Sequence, residues 1–171
     1  MPNIPRLATL AIACAVTLSA PSMAATTVTK VDAFADWSLY ADDATPHQFC
    51  FVTSEPKSSV PSGATREAPR MYISAWPQDG IKSEVSFRMG FAVKGKTDGL
   101  VTISAATFVL FGANDRAFVA DAIQELKLVD AMKKGAQLSV AVTSDRGTVV
   151  TDTYSLSGLG QALQKLQAHC F

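Results

Sequence analysis

The stretch SEVSFRMGF, residues 83–91, decides the fold. Apolar and polar side chains alternate along it. The apolar set is Val85, Phe87, Met89 and Phe91, and the polar set is Glu84, Ser86 and Arg88. Successive side chains of a β-strand point to opposite faces, so a period of two indicates a strand rather than a helix. We therefore predict a strand with one face in the core and the other face against water.

Most of the chain continues in this style, as short runs rich in β-branched and aromatic residues between turn residues. The runs are ADWSLYA (35–41), QFCFVT (48–53), RMYISAW (70–76), LVTISAATFVLF (100–111), RAFVA (116–120) and a hairpin over 136–156. QFCFVT is apolar at consecutive positions, which predicts a strand covered on both sides. The proline-rich stretch 54–69 predicts a polar surface loop.

Two segments have helical periodicity instead. The first predicts a helix near Leu126–Lys134 that ends at Gly135 as a left-handed cap. Its apolar stripe is Ile123, Leu126, Val129, Ala131 and Met132. The second predicts a helix over Ser157–Ala168 with Ser157 as its N-terminal cap. The whole pattern predicts a mainly β fold, an antiparallel β-sandwich-like domain with two short helices, one before the C-terminal hairpin and one at the C-terminus.

Residues 1–24 have the features of a secretory signal peptide. A positive start with Arg6 precedes an apolar run from Leu7 to Leu18, and small residues at 22–24 offer a cleavage site. The run is about a dozen residues, whereas a transmembrane helix needs about 20. A buried N-terminal helix and a lipoprotein anchored at Cys14 remain alternatives. We expect cleavage after Ala24 or one residue later, leaving 25–171 as a single exported domain with no transmembrane segment.

The charge pattern argues against nucleic acid and anionic membranes as partners. The chain has 15 basic and 15 acidic residues, with no basic run and no stripe of interleaved basic and aromatic residues. Proteins that bind nucleic acid or anionic membranes by charge carry such basic patches. Neither partner is therefore expected.

The cysteines predict one covalent bond. The chain has three cysteines, and Cys14 lies in the predicted signal peptide. Cys170 falls on the apolar stripe of the last helix, and Cys50 lies in the strand predicted to be buried on both sides. Two buried cysteines in an exported chain are most simply a disulfide. Free thiols and a metal site are the alternatives.

The metal alternative would use the two histidines beside these cysteines. His47 lies three positions before Cys50, and His169 is adjacent to Cys170. Two imidazoles and two thiolates are suitable ligands for zinc or copper. Strand alternation, however, would place His47 on the face opposite Cys50, and His169 would lie about 100° around the helix from Cys170. The sequence therefore predicts no metal site and no cofactor.

Candidate residues for catalysis or binding are few. With only two histidines, a serine hydrolase triad is hard to assemble. Asp36, Asp42 and Asp43 form an acidic cluster that could supply acid–base chemistry, although paired aspartates before a proline are more often a solvated turn. The candidate binding surface is Trp37, Tyr72, Trp76 and Arg146, against the default that aromatic strand residues lie in the core and that Arg146 belongs to a turn.

The chain resembles the invasion-associated locus B family of α-proteobacterial exported proteins. The resemblance is carried by AMKKGAQLSVAVTSDRGTVVTDTYSLSGLGQALQKLQAHC (131–170), and further forward by FADWSLYAD, FCFV, MYIS and EVSFRMGF. It implies a small exported β-rich domain and, from the family's name, a virulence-related role in host-cell invasion. It supplies no catalytic residues.

The leading hypothesis is a non-enzymatic exported protein of the periplasm or the outer cell surface. It would bind an envelope or host macromolecule, with host-cell invasion or interaction as one setting. The alternative is an envelope enzyme of the hydrolase type that uses the acidic cluster.

Overall fold

The computed structural model describes residues 26–63, 65–95 and 99–171. The predicted signal peptide, residues 1–24, and the alternative lipid anchor at Cys14 lie outside the described residues.

Eleven strands in the described ranges form one antiparallel sheet, with the spatial order β1-β2-β3-β5-β6-β9-β8-β7-β10-β11-β4. The strands are β1 (Val28–Phe34), β2 (Trp37–Asp42), β3 (Cys50–Ser54), β4 (Ser58–Val60), β5 (Arg70–Trp76), β6 (Ile81–Arg88), β7 (Gly99–Ile103), β8 (Ala106–Ala113), β9 (Arg116–Val119), β10 (Gln137–Thr143) and β11 (Val149–Ser155). The helices are α1 (Ala122–Lys134) and α2 (Leu159–Cys170), with a 3-10 turn at Pro77–Asp79.

The sheet curls so that its two halves pack face to face. The Phe87 ring of β6 contacts the Tyr154 ring of β11, with 6.2 Å between centroids, although five places separate these strands in the order. At the start of β2, the Trp37 indole nitrogen donates a hydrogen bond of 3.1 Å to the Ser155 carbonyl at the end of β11. Val85, Phe87 and the other inward residues fill the space between the halves. The prediction of a mainly antiparallel, sandwich-like domain is confirmed.

Both predicted helices are present, with corrected ends. Helix α1 begins at Ala122 because the Asp121 side chain accepts a hydrogen bond from the Gln124 backbone N–H, at 2.9 Å. Gly135 does not form a left-handed cap, since its φ is −85° and the chain runs on in an extended conformation. The cap of α2 is Gly158, with φ +88°, and the prediction of Ser157 as cap is wrong.

The predicted apolar stripe of α1 is only partly buried. The helix buries Leu128, Val129 and Met132, whereas Ile123 and Leu126 are each 63% exposed. Helix α1 contacts the sheet through β6, β8 and β9 and meets α2 along one side. Its first two turns therefore present apolar side chains to solvent.

The stretch 54–69, predicted as a polar surface loop, includes a short strand and a buried side chain. It contains β4, which pairs with β11, and Arg66, whose side chain is almost fully buried. The Arg66 guanidinium forms an ion pair with the buried carboxylate of Asp152 and donates a 2.7 Å hydrogen bond to the Met89 carbonyl. A buried arginine needs such partners, because an unpaired charge away from water is costly.

Across the described ranges, none of the helices combines the length and the apolar composition that crossing a membrane requires.

Candidate functional site

Aromatic side chains gather in two groups of touching rings on the outer side of the sheet. Pairing register places Tyr40 of β2 opposite Phe51 of β3. Farther along the sheet, Tyr72 lies opposite Ser86, and Ser86 lies opposite Phe118. Because strand residues alternate between faces, all of these side chains point away from the core. We call the full set the aromatic face: Tyr40, Phe49, Phe51, Tyr72, Trp76, Phe111 and Phe118.

Neighbouring rings of the aromatic face are in contact. Centroid distances are 5.2 Å for Tyr40 and Phe51, 5.7 Å for Phe51 and Tyr72, and 5.6 Å for Phe49 and Trp76. These values lie within the roughly 4.5–7 Å range of favourable aromatic pairs. The contacts cover part of each ring and leave the remainder open, so these rings are half-buried.

The same contacts correct the prediction that QFCFVT is covered on both sides. Cys50 and Val52 are buried on the inner face. Phe51 points outward, where its ring contacts the other aromatic rings of the same face. The run of consecutive apolar residues therefore arises because one face of β3 packs in the core and the other belongs to the aromatic face.

A groove of about 400 Å³ runs between these rings. Its walls include Phe51, Tyr72, Trp76 and Phe118, and its small polar residues are Ser74 and Ser86. Small side chains opposite large ones leave the space that makes the groove. The result is an aromatic slot with a polar floor.

One basic and one acidic side chain also line this groove, Arg116 and Glu84. The Arg116 guanidinium lies 5.0 Å from the Tyr72 centroid and donates a 3.4 Å hydrogen bond to the Ser86 hydroxyl. Glu84 lies opposite Ser74 in the register of β5 and β6. A bound molecule would therefore meet apolar ring faces, hydroxyl groups and both signs of charge.

The four residues predicted as a binding surface do not come together. Tyr72 and Trp76 belong to the aromatic face. Trp37 does not, because it is fully buried on the opposite side of the sheet, and that part of the prediction is wrong. Arg146 is exposed in the turn between β10 and β11 and lines a different cavity, which it shares with Arg66 and Phe91.

Several residues of the groove were missed by sequence reasoning. Phe49, Phe51, Phe118 and Arg116 carry no motif, and their assembly depends on which strands are neighbours. The available signal was the consecutive apolar pattern of QFCFVT, which indicates that both faces of that strand have contacts.

The three aspartates of the acidic cluster have separate partners. Asp36 forms an ion pair with Lys57, whose hydrogen bond, followed by one from Ser155, lowers the pKa of Asp36. The buried carboxylate of Asp42 accepts a 2.9 Å hydrogen bond from the Gln48 backbone N–H. Asp43 accepts a 3.2 Å hydrogen bond from the Thr27 N–H. Each carboxylate fastens a different piece of chain.

The predicted disulfide between Cys50 and Cys170 is present. It links the first residue of β3 to the last residue of α2, 120 positions later, with 6.5 Å between the Cα atoms. The end of the chain is thereby fastened to the sheet.

The two histidines meet beside this disulfide. The centroids of the His47 and His169 rings are 4.9 Å apart. The sequence placed each histidine away from its neighbouring cysteine, and His169 is exposed, as expected for a residue off the apolar stripe of α2. The contact between the two rings was not predicted. His47 precedes β3, which begins at Cys50, so strand alternation does not govern its direction. The disulfide meanwhile holds the last turn of α2 close to the His47 loop.

Polar contacts surround this pair unequally. His47 Nδ1 lies 2.9 Å from the Asp42 carbonyl oxygen and 3.0 Å from Asp42 Oδ1. The pKa of His169 is lowered, first by partial burial and then by the charges of His47 and Lys165. In the described ranges, no group of three or more histidine, cysteine, aspartate or glutamate side chains is arranged to hold a metal ion.

Comparisons with known proteins identify the fold and the family. A search of curated proteins found no match. A search of solved structures matched the crystal structure of invasion associated protein B from Bartonella henselae, with a TM-score of 0.57 and 17% identity over 85% of this chain and 97% of that chain. At this identity the match shows a shared fold. The family described as Invasion associated locus B (IalB) protein matches residues 37–167, which is most of the chain. This chain belongs to the invasion associated locus B family.

Proposed function

We propose that the protein is a non-enzymatic exported module that binds an envelope or host macromolecule through the aromatic face. The observation that carries the proposal is the gathering of partly open rings on one side of the sheet, five of them joined by ring contacts and two more paired beside them. Exposed apolar patches rimmed by polar groups mark interaction sites, whereas single exposed apolar residues need no explanation.

The composition of the groove supports this use. Tyrosine, tryptophan and arginine are enriched among the residues that dominate binding energies. Aromatic side chains supply a large contact area with few rotatable bonds, so little conformational entropy is lost on binding. Here Tyr72, Trp76 and Arg116 line one groove. A partner with apolar surface and hydrogen-bonding groups fits this lining.

Export has independent support. The N-terminal pattern is typical of a secretory signal, and disulfides persist in oxidising compartments such as the periplasm and the cell surface. The matched Bartonella henselae structure is described as an invasion associated protein. We extend that description to this chain as a proposal, in which the macromolecule bound is part of the bacterial envelope or of a host cell.

A binding role is preferred to the hydrolase alternative because of how the aspartates are used. An acid–base pair needs carboxylates that converge on a substrate. Asp36 is paired with Lys57, and Asp42 is buried against His47 and Gln48. These contacts hold segments of the chain together, and the two carboxylates do not converge on a common point.

The test measures binding of the mature protein to isolated envelopes of its own bacterium and, separately, to host-cell membranes. Intrinsic fluorescence is a suitable readout, because the chain has two tryptophans and only Trp76 is on the aromatic face. We expect saturable binding that changes the emission. The double variant Phe51→Ser/Tyr72→Ser should bind at least about tenfold more weakly, as for the loss of central interface residues.

The control changes two exposed apolar residues of α1. Ile123→Ser/Leu126→Ser removes apolar surface that lies away from the groove. This variant should bind like the unmodified protein. Equal losses in both double variants, or no saturable binding to either preparation, would refute the proposal.

A further inference from the structure

The only two histidines in the chain are brought together by the fold. They lie far apart in the sequence, one near the start and one near the end of the predicted mature chain. Their rings are nevertheless in contact, beside the disulfide. Neither imidazole belongs to the aromatic face, so the proposed function leaves this pair unexplained.

The distance between the rings suits shared coordination. An imidazole nitrogen binds zinc at about 2.0–2.1 Å and lies about 1.2 Å from its ring centre. Two imidazoles on one metal at angles of about 90–109° therefore have centroids about 4.6–5.3 Å apart. The observed separation is 4.9 Å.

Asp42 orients the His47 ring so that its other nitrogen is free to bind a metal ion. Both Asp42 atoms near His47 Nδ1 are acceptors, a carbonyl oxygen and a carboxylate oxygen, so Nδ1 carries the proton that is donated to them. In the neutral ring the lone pair is then on Nε2. A carboxylate that holds the far nitrogen is the usual support of a metal-binding histidine, because it fixes the tautomer and the ring orientation.

The disulfide fixes the second ligand. His169 is adjacent to Cys170, which is bonded to Cys50. Both imidazoles are thus attached near one covalent link, which reduces the entropy lost when a metal joins them. The disulfide also occupies both thiols, so the site offers nitrogen ligands alone.

We propose that His47 and His169 form a two-imidazole site for a divalent transition metal, Cu²⁺ foremost. Imidazole suits copper, nickel and zinc, and copper binds most tightly of the first-row divalent ions. Water or a group from a partner completes the coordination. The nearby charge of Lys165 acts on His169 and opposes the binding of a cation.

The test titrates CuCl₂ into the mature, metal-stripped protein with its disulfide intact. Isothermal calorimetry gives the stoichiometry, and electron paramagnetic resonance reports the nitrogens bound to copper. We expect one Cu²⁺ per chain, with hyperfine structure from two nitrogens. Parallel titrations with Zn²⁺ and Ni²⁺ should show weaker binding.

Four single variants and one double variant separate a built site from incidental copper binding. His47→Gln and His169→Gln should each weaken binding at least about tenfold, and Asp42→Asn should weaken it about 10–100-fold. Lys165→Gln should tighten binding. Circular dichroism and a free-thiol assay confirm that each variant is folded and oxidised. Binding that persists in the double variant His47→Gln/His169→Gln, or a one-nitrogen signal in the unmodified protein, would overturn the proposal.

Discussion

The Arg116 guanidinium lies over the Tyr72 ring, 5.0 Å from its centroid, on the outer side of the sheet. Arg116 belongs to β9 and Tyr72 to β5, and β6 lies between these strands. The arginine therefore spans β6, where it also reaches Ser86. This relationship holds a positive charge against one of the aromatic rings that line the groove.

Replacing Arg116 should affect binding more than folding. A cation–π contact at a partly exposed site contributes about 0.5–1 kcal/mol, so Arg116→Ala should lower the free energy of unfolding by about that amount. Loss of the guanidinium from the groove should also weaken binding to envelopes or host membranes, and the change in the free energy of binding should exceed the change in the free energy of unfolding. Urea titration and the fluorescence titration measure the two effects separately.

Arg88→Ala is the matched control for Arg116→Ala. Arg88 lies opposite Arg116 in the register but forms ion pairs with Glu67 and Asp115. Its loss should leave binding unchanged. A binding loss as large as that of Arg116→Ala would show that general charge, rather than the groove, governs the interaction.

Removing the disulfide should loosen the C-terminal helix and leave the sheet folded. Cys170→Ser frees the end of α2, and loss of a native disulfide typically costs about 2–5 kcal/mol. The sandwich core extends across the sheet well beyond this bond. Limited proteolysis should therefore cut first near the C-terminus while the circular dichroism of the sheet persists. Complete loss of the β-sheet signal would contradict this expectation.

Most strands could be predicted from their own pattern. Val85 and Phe87 are buried as the alternation requires, although Ser86 is buried too, and the hairpin over β10 and β11 follows the same rule. The sequences of β1 and β4 do not alternate, and neither strand was predicted. The order of the strands could not be predicted, because alternation within a strand does not state which strands are its neighbours. Phe118, for example, reaches the aromatic face only because β9 pairs with β6. The ion pair between Arg66 and Asp152 has the same origin, since its partners meet only in the folded sheet.

The histidine pair shows that strand alternation does not apply beyond the end of a strand. Alternation applied to His47 assumes that the strand already includes that residue. The strand begins three residues later, and His47 lies in a loop whose direction is set by Asp42. The exposed Ile123 and Leu126 show the complementary failure, since a helical period does not state how much of the helix is covered.

Glu125 should make stability depend on pH in one direction. Burial raises the pKa of Glu125, although the Val85 backbone N–H donates to its carboxylate at 2.6 Å. A raised pKa means that the folded state binds the proton more tightly, so this contribution is fully present below the unfolded value of about 4.5 and is lost as pH rises through the folded pKa.

Two substitutions of Glu125 test this dependence. Glu125→Gln retains an acceptor for Val85 and removes the charge, so it should flatten this part of the pH profile and leave neutral-pH stability equal or slightly higher. Glu125→Ala removes the acceptor and should cost about 1 kcal/mol. Chemical denaturation from pH 4 to 7 measures both. The Glu125→Gln variant should gain stability relative to the unmodified protein as pH rises, and a relative loss instead would show that the hydrogen bond outweighs the burial.

The last prediction concerns Gly158, the cap of α2. Its φ is +88°, and a Cβ built there would lie 2.0 Å from the Phe34 carbonyl oxygen. Gly158→Ala therefore combines backbone strain of about 1–2 kcal/mol with a contact that backbone movement alone can relieve. We expect the free energy of unfolding to fall by at least about 2 kcal/mol, or Tm by about 4–8 °C for a domain of this size.

Gly160→Ala is the control, because a Cβ there meets nothing within 4 Å. Alanine is the better helix former by up to about 1 kcal/mol, so this variant should be neutral or more stable. Equal Tm values for the two variants would mean that α2 can move away from β1 without cost.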